Sequence, residues 1–103
     1  MANDLPQSVQ LQLAMAFGQG TGTMMASAEA LEYALTQHSD VILRANADWQ
    51  AAKYTFLELV RLAGQIAAVH AAHDSKAEIA RIHVERAIPA VLGVCPCLTK
   101  IGR

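Results

Sequence analysis

Six side chains in the second half of this chain carry its strongest candidates for chemistry: His70, His73, Asp74, His83, Cys95 and Cys97. His70 and Asp74 are four residues apart, so on a helix they share a face, with His73 close by. Imidazole and carboxylate held that way suit a divalent metal. His83 from the next helix, or Cys95 and Cys97 from the tail, would complete the ligand set. The spacing matches no established metalloenzyme signature. Histidines near a helix end also have a plainer role there, because the negative end of the helix dipole attracts them. Cys95-Pro96-Cys97 has one residue between its thiols, where a thioredoxin-type pair has two. A single proline there gives poor geometry for an internal disulfide. The favoured reading is two small apolar residues holding the tail against the core; a metal-ligand pair or an intersubunit contact is the alternative.

Other chemistry lacks its residues. Ser8, Ser27, Ser39 and Ser75 fall where helix caps or turns account for them, with no base beside them in sequence. Asp40, Asp48 and Glu58 are dispersed and read as solvated. The run Gly18-Gln19-Gly20-Thr21-Gly22-Thr23 lacks the Lys-Ser/Thr of a phosphate-binding loop and the strand–turn–helix setting of a dinucleotide site. It reads as a flexible linker. The expectation is a non-catalytic protein with no cofactor.

These residues depend on helices for their placement. Residues 8–17 form a first helix with Val9, Leu13 and Phe17 in line, ended by the Gly/Thr run. Ser27 caps a second helix, with Glu29 at its positive end and Leu31, Ala34 and Leu35 buried; it stops near residues 37–40. Val41-Ile42-Leu43 suits an extended segment or one helical turn. Asn46 or Asp48 then caps a long helix reaching Ala72-His73. Ala52, Phe56, Val60, Ala63 and Ala67 recur every three or four residues along it, and Trp49, Leu59, Leu62 and Ile66 widen its apolar surface. At 1.5 Å per residue this rod spans roughly 40 Å. Its apolar circumference predicts that Trp49, Phe56, Val60, Ala63 and Ala67 meet a second subunit.

Asp74-Ser75 breaks the rod, and two readings follow. Either Ser75 and Glu78 form a capping box for a helix starting at Lys76, or residues 77–79 are briefly extended and the helix starts near Arg81. Pro89 bends or ends that helix, and Gly93 stops it. The organisation predicted is an N-terminal helix and linker over residues 1–23, a helical core over 24–94, and a tail over 95–103.

The second reading resembles the histone fold, in which a long central helix crosses its twin in a dimer. The residues that carry the resemblance are His73-Asp74-Ser75-Lys76-Ala77-Glu78-Ile79-Ala80-Arg81-Ile82-His83-Val84, followed by Glu85-Arg86-Ala87-Ile88. They stand where that family often has His-Ala-Gly-Arg-Lys-Thr-Ile-x-x-Glu-Asp-Val. The likeness covers residues 27–92, with Val41-Ile42-Leu43 as the first loop. Glu78 replaces the family's Thr, Ser75 its loop glycine, and Ile82-His83 its acidic pair. The resemblance implies a dimer, with Arg44, Lys76, Arg81 and Arg86 as the positions that would face DNA.

Charge speaks against nucleic acid as the main partner. The chain has 103 residues, 53% of them hydrophobic, 17% charged, and a net charge of −1. Phosphate contacts need a basic excess. The excess is local: from Ser75 onward, Lys76, Arg81, Arg86, Lys100 and Arg103 face only Glu78 and Glu85. No basic stretch precedes an apolar run at the start, and no charge-free run reaches membrane-spanning length. Two closely spaced cysteines do not make a secreted disulfide framework. The expectation is a cytoplasmic all-α protein, a long central helix flanked by shorter ones, histone-like or a small bundle. It associates with itself as a homodimer or higher oligomer, or with another protein. A histone-like DNA-binding dimer and a small helical metal-binding protein or enzyme are the alternatives.

Overall fold

The computed structural model describes residues 6–45 and 49–93. Four helices and two very short strands follow in the order α1 (Gln7–Thr21), β1 (Met25–Ala26), α2 (Ala28–Ala45), α3 (Trp49–His73), β2 (Glu78–Ile79) and α4 (Arg81–Gly93). The fold is all-α, with α3 as its long axis. Twenty-five residues at 1.5 Å each give about 37 Å, close to the longest molecular extent of 39 Å.

α3 is covered within its own chain. Phe56, Leu59, Val60, Ala63, Gly64, Ala67 and Ala71 form its buried stripe, and α1 and α4 pack against it. Tyr54, Glu58, Gln65 and Val69 stay exposed along the rod. The apolar circumference read from the sequence is thus partly covered inside the chain: the small residues of α3 let α1 and α4 come close enough to bury the stripe.

The Gly/Thr run is a second correction. α1 continues through Gly18-Gln19-Gly20 to Thr21 instead of yielding to a linker at residue 18. Packing overrides the poor helix propensity of glycine there. A Cβ on Gly20 would overlap the Arg61 carbonyl oxygen, and one on Gly64 would lie 2.5 Å from the Phe17 carbonyl oxygen. Each helix thus presents a glycine to the other's backbone, and Leu13 and Phe17 of α1 are 0% and 1% exposed beside this crossing. Burying side chains of that size contributes roughly 1.5–3 kcal/mol each. Gly22, with φ of 66°, ends the helix.

α2 also outruns its expected end. Ala30, Ala34, His38, Ser39 and Ile42 are all buried, so the inward stripe passes through the polar residues and carries the helix to Ala45. Val41-Ile42-Leu43, the expected first loop, is part of this helix. Arg44 pairs with Asp40 one turn back.

After α3 the second of the two sequence readings holds. A Schellman turn closes the helix, with Lys76 N–H donating to the Ala71 carbonyl at 2.9 Å and Ser75 N–H to Ala72 at 3.0 Å. Ser75 takes the left-handed position (φ 58°) that glycine usually fills. Glu78 and Ile79 are extended, and α4 starts at Arg81. It runs on through Pro89, which lies on its exposed side.

β1 and β2 pair in parallel, Met25 with Glu78 and Ala26 with Ile79, and Ser27 N–H donates to the Ile79 carbonyl at 2.9 Å. The chain therefore repeats one order, helix–strand–helix, twice. Carrying the strand register forward sets Ser27 against Ala80, Ala30 against His83, Ala34 against Ala87 and His38 against Val91. The last three pairs are buried in both units.

Candidate functional site

Asp74, His83 and Arg86 come together where α3 ends and α4 begins. The turn puts Asp74 just past α3, and His83 lies in the first turn of α4. Ala80 N–H donates to His83 Nδ1 at 2.9 Å. That nitrogen is therefore unprotonated, and the opposite Nε2–H donates to Asp74 Oδ2 at 3.0 Å. Arg86 reaches the same oxygen at 3.4 Å. The Asp74 carboxyl is held below its ordinary range, first by the His83 hydrogen bond and then by the positive charge of Arg86.

This geometry is that of a helix cap. His83 stands at the third helical position and closes back on the amide of the residue that caps the helix, as Glu or Gln does in a capping box. Its side chain is 2% exposed and both its nitrogens are engaged, so neither is open to a metal or a proton-transfer substrate. His70 is half-buried and His73 exposed. Among the described residues, no group of three or more His, Cys, Asp or Glu side chains is placed to hold a metal ion. Cys95 and Cys97 lie outside the described residues.

The remaining buried histidine is different. His38 is 5% exposed, and its Nε2 has no hydrogen-bond partner among the described residues. Burial pushes its pKa down to about 4, so the ring is neutral at pH 7.

The expected interface residues mostly turn inward. Phe56 is 3% exposed, and Val60, Ala63 and Ala67 are fully buried within the single chain, so they offer a partner almost no surface. Trp49 is half-buried and stacks on Phe56 with ring centroids 6.3 Å apart. The basic positions are exposed, and three are matched by carboxylates: Arg44 by Asp40, Arg81 by Glu85 at 2.8 Å, and Arg86 by Asp74. Arg81 also lies over the Tyr33 ring, 4.5 Å from its centroid. Lys76 is exposed on the turn.

A cleft of about 300 Å³ opens between α1 and α3, lined in part by Met15, Ala16, Tyr54 and Leu57. Met15 is 59% exposed, Tyr54 76%, and Leu11, one turn before Met15, 61%. Leu11 and Met15 lie off the Val9, Leu13 and Phe17 line of α1. Two residues along a helix is about 200° of rotation, so once Leu13 points inward Leu11 must point out. That signal was present in the spacing. It was obscured because Gln-Leu-Gln-Leu also alternates like a strand. Glu58 and Arg61 form an ion pair on the α3 lip of the cleft, Nε to Oε1 3.0 Å.

No protein-family model matches the chain, and no curated protein or solved structure is significantly similar to it.

Proposed function

We propose that this protein is a non-catalytic helical module that works by associating with a second copy of itself. The observation that carries this reading is the exposure of large apolar side chains, Leu11, Met15 and Tyr54, on one side of α1 and α3. Isolated exposed apolar residues are ordinary, whereas a contiguous set with a cleft beside it favours a binding surface. The side chains best suited to chemistry support the same reading. His83 and Asp74 are engaged in capping α4, and a metal would have to displace one of His83's two hydrogen bonds before binding there. The interface is assigned to these exposed residues and not to the buried stripe of α3.

A histone-like DNA-binding dimer on Arg44, Lys76, Arg81 and Arg86 is less well supported. The three arginines already face carboxylates, and a net charge of −1 adds no long-range attraction for phosphate.

Sedimentation equilibrium of the full chain, from low micromolar to near-millimolar concentration, tests the proposal. A dimer mass that falls to the single-chain mass on dilution is the expected result. A single-chain mass at every concentration overturns it.

A further inference from the structure

The α1–α3 cleft has a balance of charge and polarity that selects its occupant. Its apolar part is formed by Met15, Ala16 and Leu57, with the Tyr54 ring beside them. Its polar lining is Gln12 and Gln19 on α1, and Glu58 and Arg61 on α3. An amide donates and accepts equally. Glu58 and Arg61 carry one charge of each sign. The lining therefore has no formal net charge, and every polar group in it finds its complement in another copy of the same set.

We infer that this cleft is the contact surface of a two-fold homodimer, each copy covering the cleft of the other; the inference rests on the self-association reading above. A two-fold contact uses one patch twice, so the patch must be complementary to itself. Here amide meets amide, and the Glu58–Arg61 pair meets its own image with charges alternating. Glu58 and Arg61 already pair with each other, so a strongly acidic or basic partner finds no unopposed charge in the lining. Leu11 extends the apolar surface past the end of the cleft. Tyr54 suits the centre, because aromatic rings are enriched in interface cores and its hydroxyl can still reach solvent. The Lys53 ammonium, 5.4 Å from the Tyr54 ring centroid, lies beside it.

The test is the dimer dissociation constant of the full chain by sedimentation equilibrium, with Met15→Glu and Tyr54→Glu made singly. Val69→Glu is the control, also at an exposed apolar position on α3 and about 22 Å along the helix from Tyr54. All three positions are solvent-exposed, and the circular dichroism of each variant checks that its helices are intact. Met15→Glu and Tyr54→Glu are expected to raise the dissociation constant at least about 30-fold, as losses at the centre of an interface do, with Val69→Glu near wild type. A wild-type dimer that Met15→Glu and Tyr54→Glu leave intact overturns the cleft assignment while self-association stands. So does one that Val69→Glu weakens as strongly. A wild-type chain that stays single overturns both.

Discussion

α2 and α4 begin at matching places in the two helix–strand–helix units, and their first turns are closed in opposite directions. At α2 the capping residue reaches forward: Ser27 Oγ accepts the Ala30 N–H at 3.1 Å. At α4 the third residue reaches back: His83 Nδ1 accepts the Ala80 N–H. Each helix uses one of the two hydrogen bonds that together make a capping box. The difference follows from what stands at the cap. Ser27 has an oxygen to offer and Ala80 has none, so closure at α4 must come from within the helix. An imidazole has a second nitrogen, and that nitrogen ties the cap to Asp74 at the end of α3. The α2 cap is a local device, whereas the α4 cap also joins two helices.

His83→Ala should cost the most, because it removes the cap, the Asp74 contact and a fully buried ring together. A loss of roughly 3–4 kcal/mol in denaturant unfolding is expected, from cavity and unpaired-group costs combined. His83→Gln keeps a group able to accept the Ala80 N–H and should retain part of that stability. Equal losses for the two variants would break the comparison by showing that the cap contributes nothing.

The other buried histidine supplies the next effect. His38 is neutral in the fold with a pKa of about 4, while in the unfolded chain it titrates near 6.5. Its burial is therefore fully tolerated above about pH 6.5. As pH falls toward 4 the unfolded state gains a proton that the folded state resists. That gap corresponds to roughly 3 kcal/mol of stability lost across the window. His38→Leu should flatten the pH dependence between 6.5 and 4 while leaving a loss at lower pH, where the Asp74 carboxyl protonates. Unfolding curves at a series of pH values measure it. An acid limb unchanged in His38→Leu would show that the ring is not the responsible group.

Ser27→Ala should have the smallest effect, about 1 kcal/mol, as for other serine caps. Thermal unfolding beside His83→Ala ranks the two directly. A Ser27→Ala loss equal to that of His83→Ala would remove the distinction between a local cap and one that joins helices.

How far the sequence revealed these features depended on how local their causes are. Ser27 was recognisable as a cap because a serine before an apolar-periodic run needs no knowledge of the rest of the chain. The break at Asp74-Ser75, the extended residues near Ile79 and the start at Arg81 were likewise written in adjacent residues, although a start at Lys76 competed. Gly18-Gln19-Gly20 was misread for the opposite reason. Glycine propensity is local, but the close approach of α1 to α3 that favours glycine there is not. His83 was noticed as a metal-ligand candidate. Its hydrogen bond to Ala80 lies within reach of sequence reasoning as a third-position cap, but its bond to Asp74 needs the turn between the helices. The residues expected at an interface came from the most apolar face of α3, and that face is the one buried in the core of the chain itself.

By itself the amino-acid sequence determined an all-α fold, the long helix from Trp49 to His73, and the turn that ends it. Hydrophobic periodicity and turn chemistry act over a few residues, so they can be read without a fold. Tertiary structure alone decided that α1 lies on α3 glycine to glycine, that β1 pairs with β2, and that Leu11, Met15 and Tyr54 are left outside. Which apolar face is covered depends on where the other helices come to rest, and burial is shared among elements far apart in the chain.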